Sequence, residues 1–426
     1  MSAPQAWPKS ESDLNSMNDG AIPLLIVDDD PVFARFVQQL VQALGHELPC
    51  QPSWVDSAEK AFEELGRNRY EVVLLDYNLP GANGLQVLAQ VQQLPLTQQP
   101  AVIMLTASGN ESVAVEAMKR GAKDYLPKVD LDVPPLMRAI KSALAQKRLA
   151  EQVARYNAQI QADLEMARKL QQSLLPQSYP SFPRSARPED SALHFCHRYE
   201  SAAELGGDFF HVLGLSDTQA GVFICDVMGH GVRSALVTAM LRALVDDLAP
   251  GASDPGAFLS DLNCRLLGLL RQTEGPLFAT AFYLIADVAG GQMRYANAGH
   301  PHPFHLQRRA GRADSLPFQP GSGPALGLLD DAVYATSRCA LEPDDVVVLF
   351  TDGLFEVTRA DDEEYGRERL LAAVRERILL PPAKLFDEIV ADILKFSGGC
   401  EFSDDVCLLG MDVMQVGTIG RGAEGA

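Results

Sequence analysis

Aspartates recur in this chain where apolar runs stop, and that placement restricts the possible folds more than any figure of composition. Asp226 follows Val222-Phe-Ile-Cys225, and Asp352 follows Val346-Val-Val-Leu-Phe-Thr351. Asp208 closes Glu204-Leu-Gly-Gly-Asp208, and Asp404 lies in Ser403-Asp-Asp-Val-Cys-Leu-Leu409. A carboxylate at a strand end is an oxygen ligand on a rigid edge, and four that converge repel one another. At ~4 Å one pair costs about 1 kcal/mol in water and about 4 kcal/mol at an effective dielectric of ~20. Such a nest calls for divalent cations, and hard oxygen ligands suit Mg²⁺ or Mn²⁺. A second acidic group, Asp28, Asp29 and Asp76, stands nearer the N-terminus. The pattern is that of two metal-dependent, phosphate-handling units in one chain.

At 426 residues the chain exceeds one ordinary core, so two or three domains are expected. Hydrophobic content of 47% with 22% charged residues is that of a globular protein soluble in water. The formal net charge of −20 argues against a nucleic-acid partner, which would need a basic face. The cysteines form no Cys-x-x-Cys pair. With no secretory leader, they read as small buried hydrophobes in a reducing cytoplasm, the expected location. No apolar run approaches the ~20 residues that cross a bilayer, so no membrane association is expected. Residues 1–21 and the glycine-rich stretch 413–426 are expected to be disordered tails.

Residues 22–145 alternate short apolar runs with amphipathic stretches. The runs are Leu24-Leu-Ile-Val27, Val72-Val-Leu-Leu75, Ala101-Val-Ile-Met-Leu105 and Asp124-Tyr-Leu126, with a weaker one near Ser53–Val55. Strands that are apolar throughout and separated by helices imply a five-stranded parallel sheet covered on both faces, a doubly wound α/β domain. Ligands of such folds sit beyond the carboxyl ends of the strands. Asp28, Asp29, Asp76, Thr106 and Lys128 all fall on that edge. Asp30-Pro31 suits an N-cap followed by a first-turn proline.

Leu-Ile-Val-Asp28-Asp29, Leu-Leu-Asp76-Tyr-Asn-Leu-Pro-Gly-Ala-Asn-Gly84, Leu-Thr106-Ala and Tyr125-Leu-Pro-Lys128 together resemble the receiver domain of two-component systems. The resemblance implies that Asp76 accepts a phosphoryl group from a cognate histidine kinase. Asp28 and Asp29 would hold Mg²⁺ beside Asp76, with the Asn78 backbone carbonyl. Thr106 and Lys128 would contact the aspartyl phosphate, and Tyr125 would reorient with Thr106. Proline precedes Lys128 here instead of following it, a departure in the turn and not in the chemistry.

Residues 146–190 are expected to form a helical linker. With Val153 at heptad position a, Ile160, Ala167 and Leu174 follow at sevenfold spacing, and Leu149, Tyr156, Asp163 and Leu170 occupy d. That is a coiled-coil seam with one polar fault at Asp163. A helix from Asp132 to Leu175 would extend about 66 Å, and pairing with a second copy would bury its seam, making a homodimer. The alternative is a single amphipathic helix lying on one domain. The prolines between Pro176 and Pro188 mark the next boundary.

Residues 191–412 read as an α+β unit, sheet packed on sheet with helices outside. Strands are expected at Leu193–Tyr199, Gly221–Cys225, Thr280–Ala286, Met293–Ala296, Pro303–Leu306, Asp345–Phe350 and Val406–Gly410. Helices are expected near Gly231–Leu248, Pro255–Leu270, Arg367–Glu376 and Ala383–Lys395. Five motifs run in order: Glu204-Leu-Gly-Gly-Asp208-Phe-Phe, Cys225-Asp226-Val-Met-Gly-His-Gly231, Tyr295-Ala-Asn-Ala-Gly-His-Pro301, Leu349-Phe-Thr-Asp352-Gly-Leu-Phe-Glu356 and Ser403-Asp404-Asp405-Val. Together they resemble the PPM metal-dependent serine/threonine phosphatases in their SpoIIE-like branch. The resemblance implies a β-sandwich carrying two Mn²⁺ or Mg²⁺ ions. Asp226 would bridge the ions, Asp352 and Asp404 would serve one, and Asp208 and the Val227 carbonyl the other.

Two ions ~3.5–4 Å apart would activate a water for in-line attack on phosphorus, with no cysteine or histidine nucleophile. His230 reads as a loop hydrogen-bonding residue, with proton donation to the leaving alkoxide as the alternative. His300 reads as fixing a turn. Asp405 competes with Asp404 for the ligand role, and the family register favours Asp404. The resulting expectation is a response regulator whose output is a protein phosphatase. Its substrate, by resemblance, would be phosphoserine or phosphothreonine on a STAS-type anti-sigma factor antagonist. The alternative is a non-catalytic adaptor that uses the phosphatase fold to bind a partner of a sigma-factor pathway.

Overall fold

Runs that are apolar throughout become buried parallel strands in the N-terminal part of the chain. The structure, a computed structural model, describes residues 20–107, 111–202, 205–271, 277–318, 322–399 and 402–417. It divides into two units, Met1–Ile160 and Gln161–Ala426. In the first, β1 (Ile22–Val27), β2 (Cys50–Val55), β3 (Val72–Asp76), β4 (Ala101–Thr106) and β5 (Asp124–Pro127) form one sheet in the order β2-β1-β3-β4-β5. All its pairs are parallel. Between the strands lie α1 (Pro31–Ala43), α2 (Ala58–Arg67), α3 (Gly84–Val91) and α4 (Glu111–Lys119).

Alternate residues of the same strands feed two separate cores. Leu24, Ile26, Leu74 and Ile103 pack with Val37 of α1, and also with Leu136 and Ile140 of α5 (Val133–Leu174). Leu25, Val73 and Val102 pack with Ala61, Leu88 and Ala117 on the opposite face. Each fully buried Leu, Ile or Val contributes roughly 1.5–3 kcal/mol relative to exposure. Asp30 caps α1 as expected, accepting from Val32 N at 2.8 Å and Phe33 N at 3.3 Å. Burial of α5 stops near Lys147, whose Nζ lies 2.8 Å from Glu71. Beyond it Leu149, Val153, Tyr156 and Ile160 are exposed.

In the second unit β6 (Leu193–Glu200), β7 (Asp208–Gly214), β8 (Gln219–Val227), α6 (Val232–Leu248), α7 (Pro255–Leu270) and β9 (Ala279–Asp287) come first. Then follow β10 (Gln292–Ala298), β11 (Phe304–Gln307), β12 (Arg312–Ser315), β13 (Ser337–Ala340) and β14 (Asp345–Phe350), and last α8 (Arg367–Glu376), α9 (Pro382–Phe396) and β15 (Val406–Val413). The strands make two five-stranded sheets, β13-β10-β9-β8-β7 and β12-β11-β14-β15-β6. Every pairing in them is antiparallel. Period-two alternation splits the side chains. Phe210, Ile224 and Phe282 meet Leu349 and Leu409 between the sheets. Phe209, Phe223 and Tyr283 face Leu241 of α6 and Leu262 of α7. Leu408 and Phe350 face Leu370 of α8 and Ile389 of α9.

Some expectations need correcting. β7, β12 and β13 were not expected as strands. The last strand runs through Val413, which is fully buried. Residues after it stay on the unit, with Met414 N donating to Ala192 O at 2.9 Å and Gly417 N to Val288 O at 2.8 Å. The expected C-terminal tail therefore does not begin at residue 413. Residues 1–19 and 418–426 of the expected tails, and Glu204 of the Asp208 motif, lie outside the described residues. Among the described residues no helix is long and apolar enough to cross a membrane.

Candidate functional site

The parallel sheet brings its acidic residues to one edge because Asp28 follows β1, Asp76 ends β3, Thr106 ends β4 and Lys128 follows β5. Ligand oxygens of Asp28, Asp29 and Asp76 all lie within 4.8 Å of one another. Asp28 and Asp76 are buried, whereas Asp29 is exposed. Lys128 Nζ sits 2.7 Å from Asp28 Oδ2 and 2.9 Å from Asp76 Oδ2. Burial raises the Asp76 carboxyl above the usual carboxylate range, partly offset by the Lys128 hydrogen bond and charge. Burial alone would lower the Lys128 ammonium, but its two carboxylate partners win and raise it. Phe33 lies under the ammonium, 4.5 Å from its ring centroid. Trp54, which sequence reasoning did not single out, donates from Nε1 to Asp28 O at 2.9 Å. Tyr125 is exposed and Thr106 buried, with Thr106 O accepting from Lys128 N. This trio of carboxylates matches the oxygen donor set of a hard divalent ion.

In the second unit the antiparallel pairing sets the start of one strand opposite the end of another. Asp208 opens β7 and stands across from Asp226 near the end of β8. Asp352 follows β14, and Asp404 precedes β15 in the facing sheet. Burial, then the charge of Asp226, raises the fully buried Asp208 well above the usual carboxylate range. Asp226 is pushed up to about 7 by burial and by the charges of Asp352, Asp404 and Asp405. Asp352 is raised by burial and by Asp404. Asp208, Asp226 and Asp352 are thus near enough to neighbouring carboxylates, Asp404 among them, to feel their charge, and no cation is among the main influences on these three. Among the described residues, only the Asp28 group gathers three ligand atoms within 4.8 Å.

Neighbouring groups decide which acids are free to bind. Thr351 Oγ1 donates to Asp208 Oδ2 at 2.6 Å and accepts from Cys407 N at 2.9 Å, tying β7 to the facing sheet. Asp405 is buried and accepts from Ser201 Oγ at 3.1 Å, Ala202 N at 2.9 Å and Gly207 N at 2.5 Å. Its oxygens are committed to that backbone, while Asp404 is exposed. A Cβ on Gly207 would lie 2.5 Å from Val227 O and 3.2 Å from Asp226 Oδ1. The glycine therefore leaves a hollow beside the Val227 carbonyl and the Asp226 carboxylate that any side chain would fill. Gln171, near the end of α5, grips the same segment: Nε2 donates to Gly206 O at 2.6 Å and Oε1 accepts from Gly206 N at 3.0 Å. Sequence reasoning missed Thr351 and Gln171, and only the place of Gln171 in the helix entering the unit could have hinted at its contact.

His230 is exposed between Gly229 and Gly231, both at positive φ. His300 is buried, Nδ1 2.9 Å from Thr280 Oγ1, and burial lowers it to about 3. Its neutral ring lies beside the residue that pairs with Asp226 in register. Replacing Gly207 by alanine should weaken Mn²⁺ binding about 10- to 100-fold, as displaced supporting groups do. Calorimetric titration on a variant of unchanged circular dichroism checks this.

A receiver-type acidic edge and a β-sandwich with four convergent aspartates define a signalling protein of two domains. The sequence model for the response regulator receiver domain matches residues 24–141, and that for stage II sporulation protein E (SpoIIE) matches residues 216–414. The chain is a receiver domain followed by a long helix and a SpoIIE-type PPM domain. Asp226, Asp352 and Asp404 lie inside the second match, and Asp208 lies just before it.

Phosphoserine phosphatase RsbP of Bacillus subtilis is 27% identical over 252 residues, covering 59% of this chain and 58% of RsbP. Phosphoserine phosphatase RsbU of the same organism is 26% identical, covering 59% of this chain and 70% of RsbU. The match thus spans little more than half the length of RsbP. The SiaA-PP2C domain of Pseudomonas aeruginosa superposes with a TM-score of 0.51 at 22% identity. It covers 60% of this chain and 98% of that domain, a likeness of fold.

Proposed function

We propose that the second unit is a metal-dependent protein serine/threonine phosphatase and that the receiver controls it through phosphorylation of Asp76. The observation carrying this reading is the convergence of Asp208, Asp226 and Asp352 with the charge of Asp404 from both sheets, the first three carboxyls being raised by burial and by neighbouring carboxylates. Two bound divalent ions would supply an activated water and neutralise phosphoryl oxygens. Asp226 and the Val227 carbonyl would hold the ions from one sheet, and Asp352 and Asp404 from the other. Thr351 orients Asp208, and Asp405 fixes the Gly207 backbone. Asp28, Asp29, Asp76 and the Asn78 carbonyl would hold Mg²⁺ in the receiver, with Thr106 and Lys128 stabilising the added phosphoryl charge and Tyr125 reorienting. A cognate histidine kinase would be the phosphoryl source.

The names of RsbP and RsbU as phosphoserine phosphatases support a phosphoserine or phosphothreonine protein substrate, and a STAS-type anti-sigma factor antagonist fits that class. The test is Mn²⁺-dependent release of phosphate from such a phosphoprotein, with and without a small phosphodonor, comparing wild type with Asp76→Ala. Release that depends on the donor in wild type and not in the variant supports control by the receiver. Indifference of both proteins to the donor removes that control, and no release removes the phosphatase reading.

The exposed seam of α5 supports pairing with a second copy, since Leu149, Val153, Tyr156, Ile160 and Leu170 are each at least half exposed. Ile160→Asp is expected to convert a dimer to a monomer, read as halved mass by light scattering. Burying two such seams removes apolar area from water at about 25 cal/mol per Å², whereas a charge at position a opposes it.

A further inference from the structure

A nucleophile, a base and an orienting acid lie in line at the edge of the β-sandwich, away from the acidic site. His305 of β11 points Nε2 at Asp345 Oδ2, 2.9 Å away, and its Nδ1 lies 4.0 Å from Cys339 Sγ. His305 and Asp345 are both buried, at 6% and 3% exposure, whereas Cys339 is partly exposed. Asp345 Oδ2 also accepts from Glu342 N at 3.0 Å, which fixes the carboxylate. Cys339 sits on β13, the outer strand of its sheet, and His305 belongs to the facing sheet. The thiol therefore stands where the two sheets meet at their open side, beside the core that contains Met293 and Tyr295. Burial would lower the His305 imidazolium, but Asp345 and Cys339 prevail and raise it to about 9.

We propose that Cys339 is a nucleophilic thiol served by His305 and Asp345, and a site of reversible oxidation by hydroperoxides. A carboxylate that holds a charged histidine beside a thiol, so that the imidazolium stabilises the thiolate, is a general device for activating cysteine. Asp345 holds His305 so that Nδ1 faces sulfur, and the imidazolium stabilises the thiolate left when the thiol proton passes to solvent. The thiolate attacks the terminal oxygen of the hydroperoxide and the O–O bond breaks. Sulfur is oxidised by two electrons to the sulfenic acid, and the departing alkoxide takes the proton from His305 and leaves as an alcohol. A thiol reductant reverses the modification. This site stands apart from the proposed phosphatase chemistry and does not depend on it.

The exposed Cys264 is an internal control within the same molecule. Full-length protein is pulsed with iodoacetamide at neutral pH, and alkylation is followed peptide by peptide. Cys339 should react at least tenfold faster than Cys264 despite its lower exposure. His305→Gln should abolish that advantage and leave the Cys264 rate unchanged. A low dose of hydrogen peroxide followed by dimedone should label Cys339 first, and dithiothreitol added before dimedone should remove the label. Slower reaction of Cys339 than of Cys264 in the wild type overturns the proposal with no variant needed. An unchanged Cys339 rate in a folded His305→Gln or Asp345→Asn protein overturns it as well.

Discussion

Asp226→Asn should abolish phosphate release and, at the same time, make the metal-free protein more heat-stable. The loss of activity follows from removing the carboxylate proposed to bridge two ions. Two-ion sites contribute several kcal/mol of charge stabilisation, so a drop of about 10³-fold or more is expected. The gain in stability follows from the sign of the shift. The Asp226 carboxyl is pushed from 3.8 up to about 7 by burial and by Asp352 and Asp404. A group raised on folding contributes stability below its unfolded value, and that contribution is lost as pH rises through the folded value. Metal-free wild type should therefore weaken between about pH 4 and pH 8, and the asparagine variant should weaken less. Added Mn²⁺ should restore the wild type, since a ligand at ~100 times its Kd adds about 2.7 kcal/mol. At roughly 2–4 °C per kcal/mol for a domain of this size, that is a rise of about 5–10 °C. Differential scanning calorimetry in chelator and in Mn²⁺, across pH, reads all these effects.

Asp404 and Asp405 should separate cleanly although they are adjacent. Asp405→Ala removes the acceptor for Ser201, Ala202 and Gly207. Of these donors only Gly207 N is buried, and leaving it unsatisfied costs about 1–3 kcal/mol. That corresponds to a fall in Tm of roughly 2–12 °C. Asp404 is exposed, its Oδ1 accepting from the neighbouring Asp405 N at 2.8 Å. Asp404→Asn should shift Tm by less than about 1 °C in chelator, because surface changes cost little, yet weaken Mn²⁺ binding at least tenfold. Equal behaviour of the two variants would show that the assignment of ligand and backbone anchor is mistaken.

These two predictions also show what could be read from the sequence. The receiver edge was legible because a parallel sheet sends every strand's carboxyl end the same way, so Asp28, Asp76, Thr106 and Lys128 converge by topology alone. Asp226 and Asp352 were legible for the same local reason, as acids where apolar runs stop. Asp208 is different: it begins β7, and antiparallel pairing brings it to Asp226. β12 and β13 are four-residue edge strands of sequence Arg-Ala-Asp-Ser and Ser-Arg-Cys-Ala, too short and polar for periodicity to reveal. The Thr351 link, the Gln171 grip and the His305–Asp345 pair join residues far apart in the chain. Nothing local marks such tertiary contacts.

Crystals grown with Mn²⁺ and measured above the manganese absorption edge test most directly whether acids from two sheets hold a pair of divalent ions. Two anomalous peaks about 3.5–4 Å apart are expected, flanked by Asp208, Asp226, Asp352 and Asp404 and lost in Asp226→Asn. Manganese at the Asp28 and Asp76 edge alone, with none between the two sheets, would contradict that expectation.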